Sequence, residues 1–406
     1  MARLHPGQIT KKSEKACTGC PQLPRCAKQA CKIPKTQGMP VARETQLEID
    51  LSALEANYLH LRGRLAPGVK FLAVTKAFSY GHDALLIARK LEALGTDYFA
   101  VAYLQEGIAL RKGGISTPIL VLHPSPVNAA ALIEYSLEPS IYSRRVLKHF
   151  VAVAQELGRK DYPVHLKFNT GLNRLGFEEK DIPFICGVLQ GLNTLRVVSV
   201  FSHLAATEDP EENAFTRRQI KAFEAIIQHL FPKLTNTPLK HLLNTSGIFN
   251  FPEAQYDMVR SGIGLYGYGN DAVADSNLSP VATLKTVISQ LHRIAEGESV
   301  GYNRGYVADV SRVTATLPLG HADGIGRQYG KGKGFVYVHG HKAPIVGNVC
   351  MDMIMVDVTG IDCQEGDEVV VFGKDAPAEA LAAAAGTISY ELLTGISQRI
   401  KRVVLA

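Results

Sequence analysis

Lys76 closes a short apolar run, Phe71-Leu72-Ala73-Val74-Thr75, and is followed by Ala77-Phe78-Ser79-Tyr80-Gly81-His82. A lysine at the end of a buried strand sits where desolvation disfavours the ammonium form, and the neutral amine is a nucleophile toward a carbonyl carbon. A lone strand-end lysine is more often a solvated rim residue, so its neighbourhood has to carry the argument. A second group with chemistry in it lies upstream: Cys17, Cys20, Cys26 and Cys31, spaced C-x2-C-x5-C-x4-C. Four thiolates this close suit a tetrahedral zinc ion or an iron–sulfur cluster. The gap after the first pair is short for a zinc ribbon and no histidine assists, so a cysteine run without a metal is the plainer reading.

These cysteines belong to a separate leader. Residues 1–42 lack apolar periodicity and are rich in Lys, Pro, Gln and Thr, the composition of a disordered tail. Of the net charge of +6, residues 1–40 hold eight basic residues against the single acid Glu14, which leaves −1 for the remaining 366. Nothing in the charge of the body calls for nucleic acid. Met39 stands just before Val41-Ala42-Arg43-Glu44, where regular patterning begins, and is an alternative initiator that would remove the tail. No run of about 18 apolar residues suggests a membrane span, and no apolar segment with a small-residue cleavage site marks secretion. A cytoplasmic location with cysteines as thiols or metal ligands is expected.

The elements that must position Lys76 begin near residue 45. Leu47-Glu48-Ile49-Asp50 alternates like a short strand, and 51–65 reads as an amphipathic helix with Leu51, Leu54, Tyr58 and Leu61 on one face. Apolar runs follow at 71–75, 98–103, 117–122, 137–142, 164–168, 197–202, 240–244 and 258–265, most of them separated by helical patterns such as 84–94, 104–112, 144–158 and 213–231. Eight strands alternating with helices fit a (β/α)8 barrel, whose usual length is about 250 residues. No G-x-G-x-x-G turn follows the first run, which argues against a doubly wound open sheet. After about residue 277, β-type runs dominate at 281–289, 312–319, 334–338, 343–347, 352–358 and 367–372, with one helical pattern at 376–385. The expected organisation is a tail over 1–42, an α/β TIM-like barrel over 43–277 and a smaller all-β domain over 278–406. Functional residues of such a barrel gather at the C-terminal strand ends, where Lys76 falls.

From about residue 45 to its end the sequence resembles the alanine racemase family, enzymes that use pyridoxal 5′-phosphate and pair a (β/α)8 barrel with a β domain. The family's lysine motif V-K-A-N-A-Y-G-H is matched at Lys76, Tyr80, Gly81 and His82, with Thr75, Phe78 and Ser79 as variants. Residues 164–176, with Lys167, Asn169, Thr170, Gly171, Arg174, Leu175 and Gly176, resemble H-L-K-x-D-T-G-M-x-R-L-G, Asn169 standing for the Asp. His241-Leu242-Leu243-Asn244-Thr245-Ser246 resembles H-x-x-N-S, and Arg260-Ser261-Gly262-Ile263-Gly264-Leu265-Tyr266-Gly267 resembles R-P-G-I-G-L-Y-G.

The resemblance implies that Lys76 bonds the cofactor aldehyde, that Arg174 contacts the substrate carboxylate, and that a carbamate on Lys167 orients Arg174. It implies a phosphate held by the Thr245 hydroxyl, the Gly262 and Ile263 amides and Tyr390, with Tyr80 also at the cofactor. Arg260 would face the ring nitrogen, with His203 beside it, and Met351 in Cys350-Met351-Asp352 would meet the substrate carboxylate through its amide. An arginine keeps its proton at any working pH, so the ring nitrogen stays largely neutral, a weaker electron sink that favours return of the proton to Cα over transamination. The implied activity interconverts L- and D-alanine by two-base proton transfer at Cα, supplying D-alanine for peptidoglycan. Because the family's site is shared between subunits, a head-to-tail homodimer is implied.

One position departs from the family. Its second base is a tyrosine in G-Y-A-D-G, contributed by the partner subunit, whereas this chain reads Leu319-Gly320-His321-Ala322-Asp323-Gly324. Imidazole has a reference pKa near 6.5 against about 10 for a phenol, so a neutral His321 is available as the base at pH 7. In the family that tyrosine touches a histidine that touches the ring-nitrogen arginine, so the resemblance implies a line of contacts from His321 to His203 to Arg260. The alternative is a structural His321, with water, Tyr302 or Tyr329 in its place. Rival functions are a broad-specificity racemase, a non-racemising homologue that binds the same cofactor, and an amino-acid decarboxylase of the same architecture. Arg260 argues against the last, whose members carry a glutamate at the ring nitrogen.

Overall fold

The computed structural model describes residues 44–269 and 276–405. Cys17, Cys20, Cys26 and Cys31, with the tail that carries them, lie outside the described residues. The first strand, β1 (Gln46–Asp50), ends on Asp50, whose carboxylate accepts from the Ser52 and Ala53 amides and so starts the helix Leu51–Gly63. Eight parallel strands then close a barrel: β2 (Lys70–Val74), β3 (Tyr98–Val101), β4 (Ile119–Val121), β5 (Glu138–Ile141), β6 (Tyr162–Lys167), β7 (Leu195–Phe201), β8 (Leu239–His241) and β9 (Met258–Ser261). Closure comes from β2 lying parallel to β9, with Leu72 opposite Arg260. Helices cover the outside and side chains fill the inside, so the strands read as nearly unbroken apolar runs; Phe71, Leu72, Ala73, Phe99, Ala100 and Val101 are all fully buried. Amphipathic helices supply the cover. In Arg144–Glu156 one face buries Val146, Leu147, Phe150 and Ala154, and the Ser143 hydroxyl caps the first turn.

The rest of the chain builds a nine-stranded sheet from β10 (Ala282–Val287), β11 (Gln290–Ile294), β14 (Arg312–Leu317), β15 (Phe335–Val338), β16 (His341–Val346), β17 (Ile354–Asp357), β18 (Glu368–Phe372) and β19 (Lys401–Leu405), together with β1. Strands β12 (Ser299–Val300) and β13 (Tyr306–Val307) form a separate ribbon. The strand β1, read from the sequence with the barrel half of the chain, pairs instead with this sheet: Gln46 lies opposite Lys285 of antiparallel β10 and Lys401 of parallel β19. Local pattern identifies it as a strand, but its partners lie far along the chain and only folding chooses them. The pairing brings the far end of the chain back beside the barrel, with consequences for Lys76.

Candidate active site

Lys76 lies just past β2. The next four residues, Ala77, Phe78, Ser79 and Tyr80, have φ of 53°, 54°, 52° and 54°. A left-handed backbone costs a non-glycine residue roughly 1–2 kcal/mol, so such a run persists only where the surroundings over-determine it. Glu106, in the first turn of the helix Leu104–Lys112, accepts the amides of Ala77 at 2.6 Å, Ala102 at 2.7 Å and Tyr103 at 2.9 Å. Arg402 of β19 donates to the carbonyls of Gly81 at 2.7 Å and His82 at 3.1 Å. Nδ1 of His82 lies 2.8 Å from the Ser79 carbonyl, and burial pushes this imidazole down to a pKa of about 4. Gly81 (φ 86°) abuts Leu393 so closely that a β-carbon would lie 2.1 Å from the Leu393 carbonyl oxygen. The turn that presents the lysine is therefore clamped by the helix after β3 and by the last strand of the chain.

Lys76 opens into a cavity of about 690 Å³ formed by residues at and beyond the C-terminal strand ends. Lys167, Arg174, His203 and Arg260 line it, as do Tyr80, Thr245, Gly262, Ile263 and Tyr390. Four cationic side chains thus share one space, and their pKa values respond. Burial, then Arg174, lowers the Lys76 amine against an opposing pull from Glu106. Lys167 is pushed down to about 8 by burial and then by Arg174, Arg260 and Lys76. Arg260 falls to about 9 through burial and Arg174, which leaves it protonated at neutral pH. His203 is held neutral, well below its usual value, by burial and the neighbouring positive charges. A cavity this rich in positive charge favours an anionic ligand.

One end of the cavity is built for a compact anion. Thr245 Oγ1 lies 3.0 Å from Ser261 Oγ and accepts the Gly264 amide at 3.3 Å. A β-carbon on Gly262 would come within 2.2 Å of the Tyr80 hydroxyl, so the glycine makes room for that hydroxyl at the backbone. Tyr80 stacks on Tyr266 with centroids 4.7 Å apart and lies 6.0 Å from Tyr390. Hydroxyls gathered at the cavity wall beside the Gly262 and Ile263 backbone suit a phosphate. Elsewhere in the cavity, Arg260 Nη1 lies 2.8 Å from His241 Nδ1, and Nη2 donates to the Ser202 and Leu242 carbonyls and sits 3.3 Å from His203 Nδ1. The loop that carries Arg174 is pinned by Asn169, whose Oδ1 accepts the amides of Gly171 at 3.2 Å and Asn173 at 2.9 Å. Those bonds need only an acceptor oxygen, which an Asn supplies as an Asp does.

His321 and Met351 do not join this cavity in their own chain. His321 is exposed on a turn whose amide donates to the Cys350 carbonyl at 2.9 Å, and Met351 is 60% exposed beside it. Tyr329, considered in place of His321, is buried in the β domain at 1% exposure, while Tyr302 is 71% exposed. Sequence reasoning missed Glu106 and Arg402. The spacing of Glu106 three residues after Tyr103, the position that caps a helix start, marks it as a backbone acceptor; Arg402 carries no local signal.

Models of the alanine racemase N-terminal and C-terminal domains match residues 49–270 and 281–404. The chain is 35% identical over 366 residues to an alanine racemase of Desulfovibrio desulfuricans, covering 89% of this chain and 98% of that one. It is 36% identical over 372 residues to an alanine racemase of Halothermothrix orenii, covering 89% and 97%. Among solved structures, alanine racemase from a D-cycloserine-producing Streptomyces lavendulae superposes with a TM-score of 0.85 at 31% identity, over 91% of this chain and 98% of that one. Alanine racemase from Bartonella henselae, solved with covalently bound pyridoxal phosphate, gives 0.83 at 30% identity over 89% and 100%. The chain belongs to the alanine racemase family.

Proposed function

We propose that this chain interconverts L- and D-alanine at pyridoxal phosphate held in the Lys76 cavity, and that two copies complete each other's sites. The activity and the cofactor are those of the family to which the chain belongs. The observation that carries the assignment of roles is the convergence of an amine whose pKa burial lowers, three further basic side chains and a hydroxyl-lined pocket on one cavity. Bound there, the cofactor supplies an aldehyde for an amine to bond and a conjugated ring that spreads negative charge away from Cα.

Lys76 Nζ then secures the cofactor at rest and moves the Cα proton on its face of the substrate. Thr245, Gly262, Ile263, Tyr80 and Tyr390 hold the phosphate. Arg260 donates to the ring nitrogen and, as a guanidinium, takes no proton from it. Arg174 orients the substrate carboxylate. A carbamate on Lys167 would turn one of four positive charges negative and pair with Arg174.

The other face needs its own base. We assign it to His321 of a second copy, with the Met351 amide beside it. What supports this is the placement of the two on adjoining exposed turns of the β domain, joined by hydrogen bonds from the His321 and Ala322 amides to the Cys350 and Met351 carbonyls, next to a groove of about 590 Å³ edged by Tyr302, Met351 and Met353. A head-to-tail dimer would carry these turns to the neighbouring cavity. No described helix is long and apolar enough to cross a membrane, and we place the reaction in the cytoplasm, supplying D-alanine for peptidoglycan.

Coupled turnover of L- and D-alanine by the purified protein, with Lys76→Ala as control, tests the reading. Wild type should racemise in both directions, and the variant should lose turnover together with the visible absorbance of the bound cofactor. Undiminished racemisation by Lys76→Ala, or a wild type that binds the cofactor yet exchanges no Cα proton for solvent deuterium, would refute it.

A further inference from the structure

The direct partners of the buried Arg260 side chain are neutral: two carbonyls and the rings of His241 and His203. A line of hydrogen bonds runs on from His241. Its Nε2 lies 2.8 Å from Ser199 Oγ, Ser199 Oγ lies 2.6 Å from His165 Nδ1, and His165 Nε2 lies 2.7 Å from Glu138 Oε2. Glu138, His165, Ser199, His241 and Arg260 come one each from the successive strands β5 to β9. The middle three are fully buried, and Glu138 is 9% exposed.

The end groups dictate every proton between them. A guanidinium donates and never accepts, so His241 Nδ1 must turn its lone pair to Arg260, which puts the ring proton on Nε2. Ser199 Oγ accepts that proton and directs its own hydrogen to His165 Nδ1. His165 is left with its proton on Nε2, where the Glu138 carboxylate accepts it. A doubly protonated His165 would make Ser199 Oγ an acceptor from both rings and leave its own hydrogen without either ring to receive it. All four hydrogen bonds therefore point from the guanidinium to the carboxylate, and a chain aligned in one sense polarises cooperatively. Around Glu138 stand Tyr98, Tyr162 and Arg111, each of which feels its charge.

We propose that Glu138 is a positioning residue for Arg260: acting through His165, Ser199 and His241, its carboxylate sets both histidine tautomers and steadies the charged guanidinium in the cavity. The proposal rests on the reading of Arg260 as the donor to the cofactor ring.

Nitrogen-15 NMR of histidine-labelled holoenzyme at neutral pH reads the relay directly. His165 and His241 should both be neutral with the proton on Nε2; a proton on Nδ1, or a doubly protonated ring, overturns the proposal. Glu138→Gln keeps an acceptor for His165 but removes the charge. It should lower the midpoint at which the visible absorbance of the bound cofactor titrates by about half a unit, the scale of a unit charge acting across a protein interior. Ser199→Ala, which cuts the line and leaves the charge, should shift it the same way. An unmoved midpoint in Glu138→Gln, with Arg260→Lys still shifting it, overturns the relay. No shift in any of the three overturns the placement of Arg260 at the ring instead, and the tautomers then decide the relay by themselves, as they do should Glu138→Gln fail to fold.

Discussion

The amide of Ala77 donates to the Glu106 carboxylate at 2.6 Å, one residue beyond the lysine that carries the chemistry. The same carboxylate accepts the amides of Ala102 and Tyr103, so one side chain ties the ends of β2 and β3 together. Hydrogen bonds to a charged acceptor contribute about 1.5–3 kcal/mol each when buried, and Glu106 is only half-buried, so less applies here. Glu106→Ala should cost about 2 kcal/mol and release the left-handed turn, read as a lower melting temperature and faster loss of cofactor absorbance on dilution. Glu106→Gln keeps one acceptor oxygen and should fall between. A variant that melts lower yet retains cofactor like the wild type would separate Glu106 from the placement of Lys76.

Gly262→Ala puts a β-carbon 2.2 Å from the Tyr80 hydroxyl and 2.8 Å from the ring carbon bearing it. Cofactor affinity should fall by about tenfold or more, equivalent to about 1.4 kcal/mol. Adding Tyr80→Phe removes the closest clash, so the double variant should recover part of the loss, a non-additivity that equilibrium binding would reveal.

Lys167 makes folding stability depend on pH. Its folded pKa of about 8 lies below the ordinary lysine value of 10.5, so between these values the unfolded chain holds a proton that the folded chain has released. The group thus penalises folding below pH 8, and the penalty fades as pH rises from 8 toward 10.5. Lys167→Met should narrow the difference in melting temperature between pH 7 and pH 9.5 in buffer free of carbon dioxide. An unchanged difference would show that Lys167 titrates normally.

The lowered amine also favours carbamate formation, which requires the neutral form. Carbon-13 bicarbonate should give a carbamate signal in the wild type that is absent in Lys167→Met and weaker at pH 6.5 than at pH 8.5. Absence of the signal across that range would leave Arg174 without this partner.

His321→Ala should lose most racemisation, with a larger effect on proton removal from one enantiomer than from the other. His321→Tyr should retain or raise the rate, because a phenol reaches farther than an imidazole. Equal rates in wild type and His321→Ala would take His321 out of the mechanism. Sedimentation of the purified protein tests the dimer on which that role depends.

Much of the fold was legible because burial on both faces leaves its mark on each strand. Runs such as 71–75 and 197–202 lie almost on β2 and β7, and the segments around Lys76, Lys167, Thr245 and Arg260 announce chemistry by sitting at their ends. The left-handed turn was not legible: Ala77, Phe78, Ser79 and Tyr80 have no intrinsic preference for positive φ, and what forces it, Glu106 and Arg402, comes from elsewhere in the chain.

The sequence alone determined the order of the barrel strands and the residues waiting at the barrel mouth, since these depend on patterns a few residues long, but it marked no run at β11 or β19. Tertiary structure decided who meets whom. It joined β1 to the far sheet, set four positive charges around one cavity, and ran hydrogen bonds from Arg260 to Glu138 across five strands. It also left His321 and Met351 outside the cavity of their own chain. Each of these depends on distances in space that closing the barrel creates, and a local pattern in a linear chain holds no record of them.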